Sequence, residues 1–237
     1  MPYPITVSLC LVNGKPGYDL TIHDELATVQ DYIAAMENAI EILPLFLHRK
    51  KANKCAGCAE CCKDAILLNW VDVMMIREQL SINQVAKIRI RENDFAIGII
   101  LSEEKDMFCS FLDRTNNLCT IYPVRPLVCR VYVCAPSTKT AFDIRNHIIH
   151  KGQEDLIRRW VSQVQEWGEF LFEKFDREKG VNVYHGFSKD WPPNAFSGKS
   201  NYNEVLLKDL LPAELWEKVY KPLGTNSQGL FCDLRGL

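Results

Sequence analysis

Residues 55–62 read Cys55-Ala56-Gly57-Cys58-Ala59-Glu60-Cys61-Cys62, four thiols within eight positions. Packing alone does not explain that density. Thiolates are the side chains that soft metals and iron–sulfur clusters select, so the stretch reads as part of a metal centre. Cys55, Cys58 and Cys61 keep the C-x-x-C-x-x-C spacing with which one curling loop presents several sulfurs to a cluster, as in a bacterial ferredoxin ligand run. The fourth thiol departs from that run, because Cys62 follows at once and is succeeded by Lys63 rather than Pro. Adjacent side chains diverge in extended or helical backbone, so Cys61 and Cys62 are expected to point to different places.

Moving toward the C-terminus, Cys109, Cys119, Cys129 and Cys134 bring the thiols of this region to eight, enough for two four-cysteine sites or one centre that uses half of them. Met107 to Leu112 and Leu118 to Tyr122 read as a hairpin around residues 113–117. With its turn centred on Arg114, Cys109 and Cys119 would face each other across the strands. In Arg125-Pro126-Leu127-Val128-Cys129-Arg130, Pro126 suits a first helical turn, and Arg125 and Arg130 flank a thiol whose pKa neighbouring cations lower. These arginines are the candidate cofactor-binding residues. Taken one at a time, each downstream cysteine also reads as an inert buried thiol. His147 and His150 stand at i, i+3, but beside Ile148 and Ile149 they read as surface or core residues before ligands.

Moving toward the N-terminus, the basic run from His48 to Lys54 is a solvated linker or an offset to thiolate charge. Before it, Leu26, Val29, Ile33, Met36, Ile40, Leu43 and Leu47 form one helical stripe starting near Asp24, with Pro44 ending or kinking the helix near Leu43. Ile5, Val7, Leu9 and Leu11 alternate as a strand with Cys10 on the outward side, and residues 13–17 supply a turn before Tyr18 to Ile22. Between the cysteine groups, Ile66 to Leu68 looks extended. Asn69 caps a helix carrying Val71, Met74, Met75 and Leu80, Ser81 caps another through Val85 and Ile88, and Ile97 to Leu101 looks β-like. Past Cys134, Asp155 to Phe175 carries a helical stripe, Trp191-Pro192-Pro193 is a break, and Asn203 to Tyr220 is a last helix interrupted near Pro212.

The expected fold class is therefore α+β and predominantly helical, with small β-hairpins and a cysteine-rich metal-centre core packed by helices. Three segments follow: 1–54, a hairpin and long helix; 55–134, the cysteine-cluster region; and 135–237, helical, all in one compact unit. At 237 residues the chain buries a core without staples, and its ten cysteines fall well short of the roughly 8–10% of residues that marks a disulfide scaffold. The N-terminus lacks the basic start of a signal peptide, and no apolar run nears the roughly 18 residues of a membrane span. A cytoplasmic protein is expected, in which clustered cysteines bind metal or catalyse rather than pair. A formal charge of −2 and pI near 6.2 give no reason to expect nucleic acid.

Four blocks carry a resemblance: Cys55 to Cys62, Cys109-Ser110-Phe111-Leu112-Asp113, Leu118-Cys119-Thr120-Ile121-Tyr122, and Arg125-Pro126-Leu127-Val128-Cys129-Arg130. Together they resemble the YkgJ-like, C-x-x-C-x-x-C-C zinc- or iron-chelating cysteine cluster proteins of bacteria and archaea. The resemblance covers about a third of the chain and implies that Cys55, Cys58, Cys61, Cys62, Cys109, Cys119, Cys129 and Cys134 are the metal ligands, with Cys10 and Cys232 outside the pattern. It leaves the metal open. One branch includes flagellin lysine N-methylase, which implies protein methylation as an activity, although no glycine-rich methyl-donor loop of the Rossmann kind is present. The compact three-cysteine run with remote partners favours an iron–sulfur cluster, 4Fe-4S, over zinc. Three function classes fit: a redox or radical enzyme with Arg125, Arg130, Tyr122 and Tyr132 near substrate; a cluster carrier, sensor or electron-transfer protein; and a structural zinc site in an interaction module. A protein substrate or redox partner goes with the first two.

Overall fold

In the computed structural model, which describes residues 3–42, 58–64, 66–79, 89–93, 96–100, 108–162 and 192–223, Asn13 and Gly14 both take positive φ, 53° and 74°. That pair makes the two-residue turn whose twist matches paired strands. It closes β1 (Ile5–Val12) onto β2 (Lys15–Ile22), with Ile5 opposite Ile22 and Val12 opposite Lys15. The turn is tighter than the expected 13–17, because Lys15, Pro16 and Gly17 already belong to β2. The ladder is unbroken, so Cys10 keeps the face opposite to Leu9 and Leu11; it is half-buried there, while Leu11, near the turn, is 53% exposed. Gly17 lies opposite Cys10, and a Cβ on it would stand 2.8 Å from Val12 Cγ2 and 2.5 Å from the Pro136 carbonyl oxygen. Val12 thus fills the space that a side chain at 17 would occupy.

The first helix, α1 (Val29–Ile42), starts at a reciprocal cap. Thr28 N donates to Asp31 Oδ2 at 2.8 Å and Asp31 N donates to Thr28 Oγ1 at 3.2 Å, the capping-box arrangement with Asp in place of Glu. The helix therefore begins later than Asp24, and Leu26 is left outside it and exposed. Val29, Ile33, Met36 and Ile40 are buried along one stripe, as their spacing predicts, with Tyr32 and Ala39 beside them. Leu43, Pro44, Leu47 and the basic linker fall outside the described residues.

The chain divides into two compact units made of separated segments. Unit 1 comprises Met1–Lys50, Arg130–Ile148 and Asn201–Leu237; unit 2 comprises Lys51–Cys129 and Ile149–Ser200. In unit 1, backbone bonds join the segments: Val29 N to Val205 O and Leu207 N to Ala27 O, each 2.9 Å, and Lys221 N to Ile22 O at 2.8 Å. Residues 136–138 run beside β2, with Tyr18 N donating to Pro136 O and Thr138 N to Tyr18 O, each 3.0 Å. Gly17 permits that approach. The expected last helix is broken into a 3-10 turn (Tyr202–Glu204), α5 (Leu207–Leu210) and α6 (Ala213–Val219), with Pro212 just before α6.

In unit 2, Asn69 caps α2 (Trp70–Gln79) as its sequence predicts: Asp72 N donates to Asn69 Oδ1 at 3.0 Å and Asn69 N to Asp72 Oδ2 at 3.1 Å. The β-like stretch near residue 100 is β4 (Ala96–Ile100), paired antiparallel with a strand the sequence did not reveal, β3 (Arg89–Asn93). The proposed helix through Val85 falls outside the described residues. β5 (Leu112–Asp113) and β6 (Leu118–Cys119) make a two-residue ladder, followed by a 3-10 turn (Tyr122–Val124) and α3 (Leu127–Val131). The last long helix, α4 (Lys139–Ser162), contributes to both units. It starts well before Asp155, at a cap where Ala141 N donates to Thr138 Oγ1; the polar run His147 to Gln153 hides its buried stripe of Ala141, Ile144 and Ile148. Beyond Ser162 that helix lies outside the described residues, and Trp191 does too.

The whole is α+β and mainly helical, with small antiparallel hairpins. Among the described residues no helix is long and apolar enough to cross a membrane.

Candidate metal centre

Glu60, Cys61, Cys62 and Lys63 form a single 3-10 turn entered through Ala59, whose backbone is left-handed at φ 58° and ψ 4°. Ala59 N-caps the turn without a side-chain bond, and Cys62 N donates to Ala59 O at 3.1 Å. The side chains of Cys61 and Cys62 stay close enough for the Cys62 thiol to be the largest cause of a Cys61 pKa pushed far above the ordinary thiol value, followed by burial. Cys58 precedes the turn and is half-buried; Cys55 falls outside the described residues.

The downstream cysteines reach the same region by short, firmly tied elements. Cys109 is buried, and its N–H donates to the Cys62 carbonyl at 2.7 Å, tying the two halves of the cysteine pattern together through the backbone. The expected Cys109–Cys119 cross-strand pair does not form. Arg114 to Asn117 make a four-residue turn with Asn117 at φ 55°, and Cys119 pairs with Leu112 instead. Asp113 sets that register, accepting from Thr115 N at 2.9 Å and Asn116 Nδ2 at 2.8 Å, the local turn chemistry of Asp.

Pro126 stands just before α3, and Cys129 N donates to Pro126 O at 2.9 Å, so Cys129 lies in the first turn of that helix. The start of α3 is held by Asp72, whose Oδ1 accepts from Leu127 N at 2.8 Å. Asp72 is 1% exposed, and its other oxygen closes the cap of α2. One buried carboxylate thus fixes two helix starts and sits close enough to Cys129 to raise its pKa. Sequence reading found Asn69 and missed Asp72; its signal was the Asn69-x-x-Asp72 capping spacing.

Cys61, Cys109, Cys119 and Cys129 act on one another electrostatically. Burial pushes Cys129 well above its ordinary value, and negative charge on Cys109, Cys61, Cys119 or Asp72 pushes it further. Cys119 is raised by burial and by Cys61, and lowered by a backbone bond from Ile121 and by Arg125. The Arg125 guanidinium lies 4.2 Å from the centre of the Tyr122 ring and favours thiolate at both Cys61 and Cys119. Arg130, the other flanking arginine, makes a two-pronged pair with Glu37, Nε to Oε1 at 2.9 Å and Nη2 to Oε2 at 3.0 Å. The expectation that these cations lower the Cys129 pKa is overturned: burial and the neighbouring thiols and Asp72 raise it, and Arg130 is engaged by Glu37.

The thiols border an apolar core that includes Ile66, Leu68, Phe111, Ile121 and Val124, with Cys62, Cys119 and Cys129 packed against it. Cys134 belongs to unit 1, half-buried in the stretch between α3 and α4. Of the two histidines, His147 bonds the Leu210 carbonyl at 3.0 Å and His150 is exposed. Among the described residues no three His, Cys, Asp or Glu side chains stand as a closed cage for an ion. The fit to a metal therefore lies in the donor set: neighbouring thiols whose ionisation is opposed by burial and mutual repulsion, which a bound cation reverses.

A short thiol-bearing turn, a two-residue ladder and a one-turn helix around a common apolar core define a cysteine-cluster metal domain. Residues 54–150 match the model of the CxxCxxCC family, described as a "Putative zinc- or iron-chelating domain". No curated protein and no solved structure matches the chain.

Proposed function

We propose that the domain holds an iron–sulfur cluster, with ligands drawn from Cys55, Cys58 and Cys61 of the loop and from Cys109, Cys119 and Cys129. The observation that supports this reading is the shared electrostatic environment of Cys61, Cys109, Cys119 and Cys129, reached from three separate elements beside one apolar core. Four thiols share that environment, as many as a four-cysteine cluster takes, and the apolar surroundings suit a centre whose potential depends on solvent exclusion. Such a cluster supplies one-electron chemistry. Arg125, on Tyr122 and beside two thiols, offsets ligand charge and is the group placed to meet an anionic substrate or partner. Asp72 positions Cys129 by fixing the start of α3.

A redox or protein-modifying role with a protein partner follows from this reading. Zinc is the second reading, supported by the family description, which names both metals; a fully thiolate zinc site would make the domain structural. Anaerobically purified protein should be brown, with iron and sulfide in comparable amounts. Colourless protein with stoichiometric zinc and no sulfide would replace the first reading by the second.

A further inference from the structure

Arg145, on α4 in unit 1, involves none of the thiols. Although it carries a full charge, it is only 9% exposed. Its Nη1 donates to Tyr18 Oη at 3.3 Å, a long bond to a neutral group. Its Cζ lies over the rings of Tyr132 and Phe142, 5.4 Å from each centroid. No carboxylate among the described residues pairs with it, whereas two other cations of the unit are neutralised: Lys139 by Asp143 at 2.7 Å and Arg130 by Glu37 at 2.9 Å. A buried guanidinium without a counter-ion is uncommon, because ring faces and a phenol replace only part of the hydration it gives up.

The surroundings show where a counter-ion would enter. Tyr132 and Phe142 are 39% and 47% exposed, so the rings that bracket the cation also border solvent. No Arg145 nitrogen is among the described buried polar atoms lacking a partner, and Tyr18 accounts for one bond alone; the remaining nitrogens are therefore not fully buried. Rings over the guanidinium leave the edge of its plane for an acceptor, and that edge matches two coplanar oxygens. Tyr18 is held by backbone pairing with residues 136–138, which Gly17 lets lie against β2. The bracket is thus built into the fold of unit 1. A single unneutralised cation suits a monoanion, and aromatic walls suit an apolar body.

We propose that Arg145, Tyr132 and Phe142 form a binding site for an organic carboxylate, with the guanidinium edge taking both carboxylate oxygens and the two rings holding the apolar body. The test is titration of the full chain, labelled with 15N-arginine, by sodium benzoate, and separately by inorganic phosphate and sodium chloride at matched ionic strength. The Arg145 Nε–H resonance should move saturably with benzoate, with a Kd on the order of millimolar, and stay still with chloride. Benzoate-induced shifts of the ring protons of Tyr132 should vanish in Arg145→Gln, and Phe142→Ala, at an exposed ring, should weaken binding about threefold. Absence of saturation, tighter binding of phosphate than of benzoate, or unchanged affinity in Phe142→Ala would each overturn the proposal, even where Arg145→Gln does not fold. Because no thiol takes part, the result is independent of which metal the cysteines hold.

Discussion

Unit 1 joins its separated segments through backbone hydrogen bonds between apolar elements and through closed ion pairs such as Arg130–Glu37. Unit 2 has short elements around a core in which Cys109 is buried and Cys62, Cys119 and Cys129 are packed at its edge. The first gains its order from strand pairing, a capped helix and aliphatic burial, and these are complete without a ligand. The second places groups at its core that repel one another once ionised. Its full stability is expected to come from bound metal, since metal-binding free energy in such a domain is folding free energy.

The sharpest way to break this contrast is to remove thiols from each side. Cys129→Ser should lower bound metal at least ~10-fold and leave amide exchange in unit 1 unchanged, whereas Cys10→Ser, in β1, should retain full metal content. Equal metal loss in both variants would erase the distinction. Asp72→Ala should come next: it leaves the Leu127 amide and the α2 cap without an acceptor, at a cost of about 3 kcal/mol that denaturant unfolding would read in unit 2. Metal loss should accompany it, because Cys129 loses its positioning residue.

Gly17→Ala tests unit 1 by itself. The new Cβ would meet the Pro136 oxygen at 2.5 Å, so residues 136–138 must shift, at about 1–3 kcal/mol in thermal unfolding, with metal content unchanged. The smallest effect concerns pH. Cys61, Cys119 and Cys129 are raised above the ordinary 9.0 in the folded protein, so above that value the folded form retains protons that the unfolded form has released. Metal-free protein should therefore lose stability as pH rises beyond about 9, a slope that becomes shallower in the Cys61→Ser, Cys129→Ser double variant. For the same reason metal uptake should release protons and weaken as pH falls, which calorimetry in buffers of different ionisation enthalpy would measure.

Much of this was legible in the residues themselves. The stripe of α1 from Val29 to Ile40, a turn beginning at Asn13-Gly14, the cap at Asn69 and a helix beginning beside Pro126 are all local signals, and each is present, although the turn is shorter and α1 starts later than the sequence indicates. Local signals also misled where a neighbour intervened. Leu26 has the right spacing for α1 but lies before the Thr28–Asp31 cap, and Leu11 has the inward parity of β1 but is exposed beside the turn. The Cys109–Cys119 pairing failed for want of turn length: moving the turn centre by one and a half residues changes every partner across the ladder.

The candidate metal donors were legible in the sequence alone, because no tertiary contact is needed to recognise thiols gathered at C-x-x-C-x-x-C-C spacing with further cysteines near Pro126 and in the 109–119 hairpin. How those thiols meet was decided only by the tertiary structure. The turn that carries Cys61 and Cys62 is entered through a left-handed Ala59, the Cys62–Cys109 backbone link joins loops far apart in the chain, and Asp72 reaches Leu127 across 55 positions. The bracket around Arg145 likewise draws on residues 18, 132 and 142. Hydrogen bonds and desolvation act over a few ångströms in space, and residues remote in sequence come within that range only when the chain has folded.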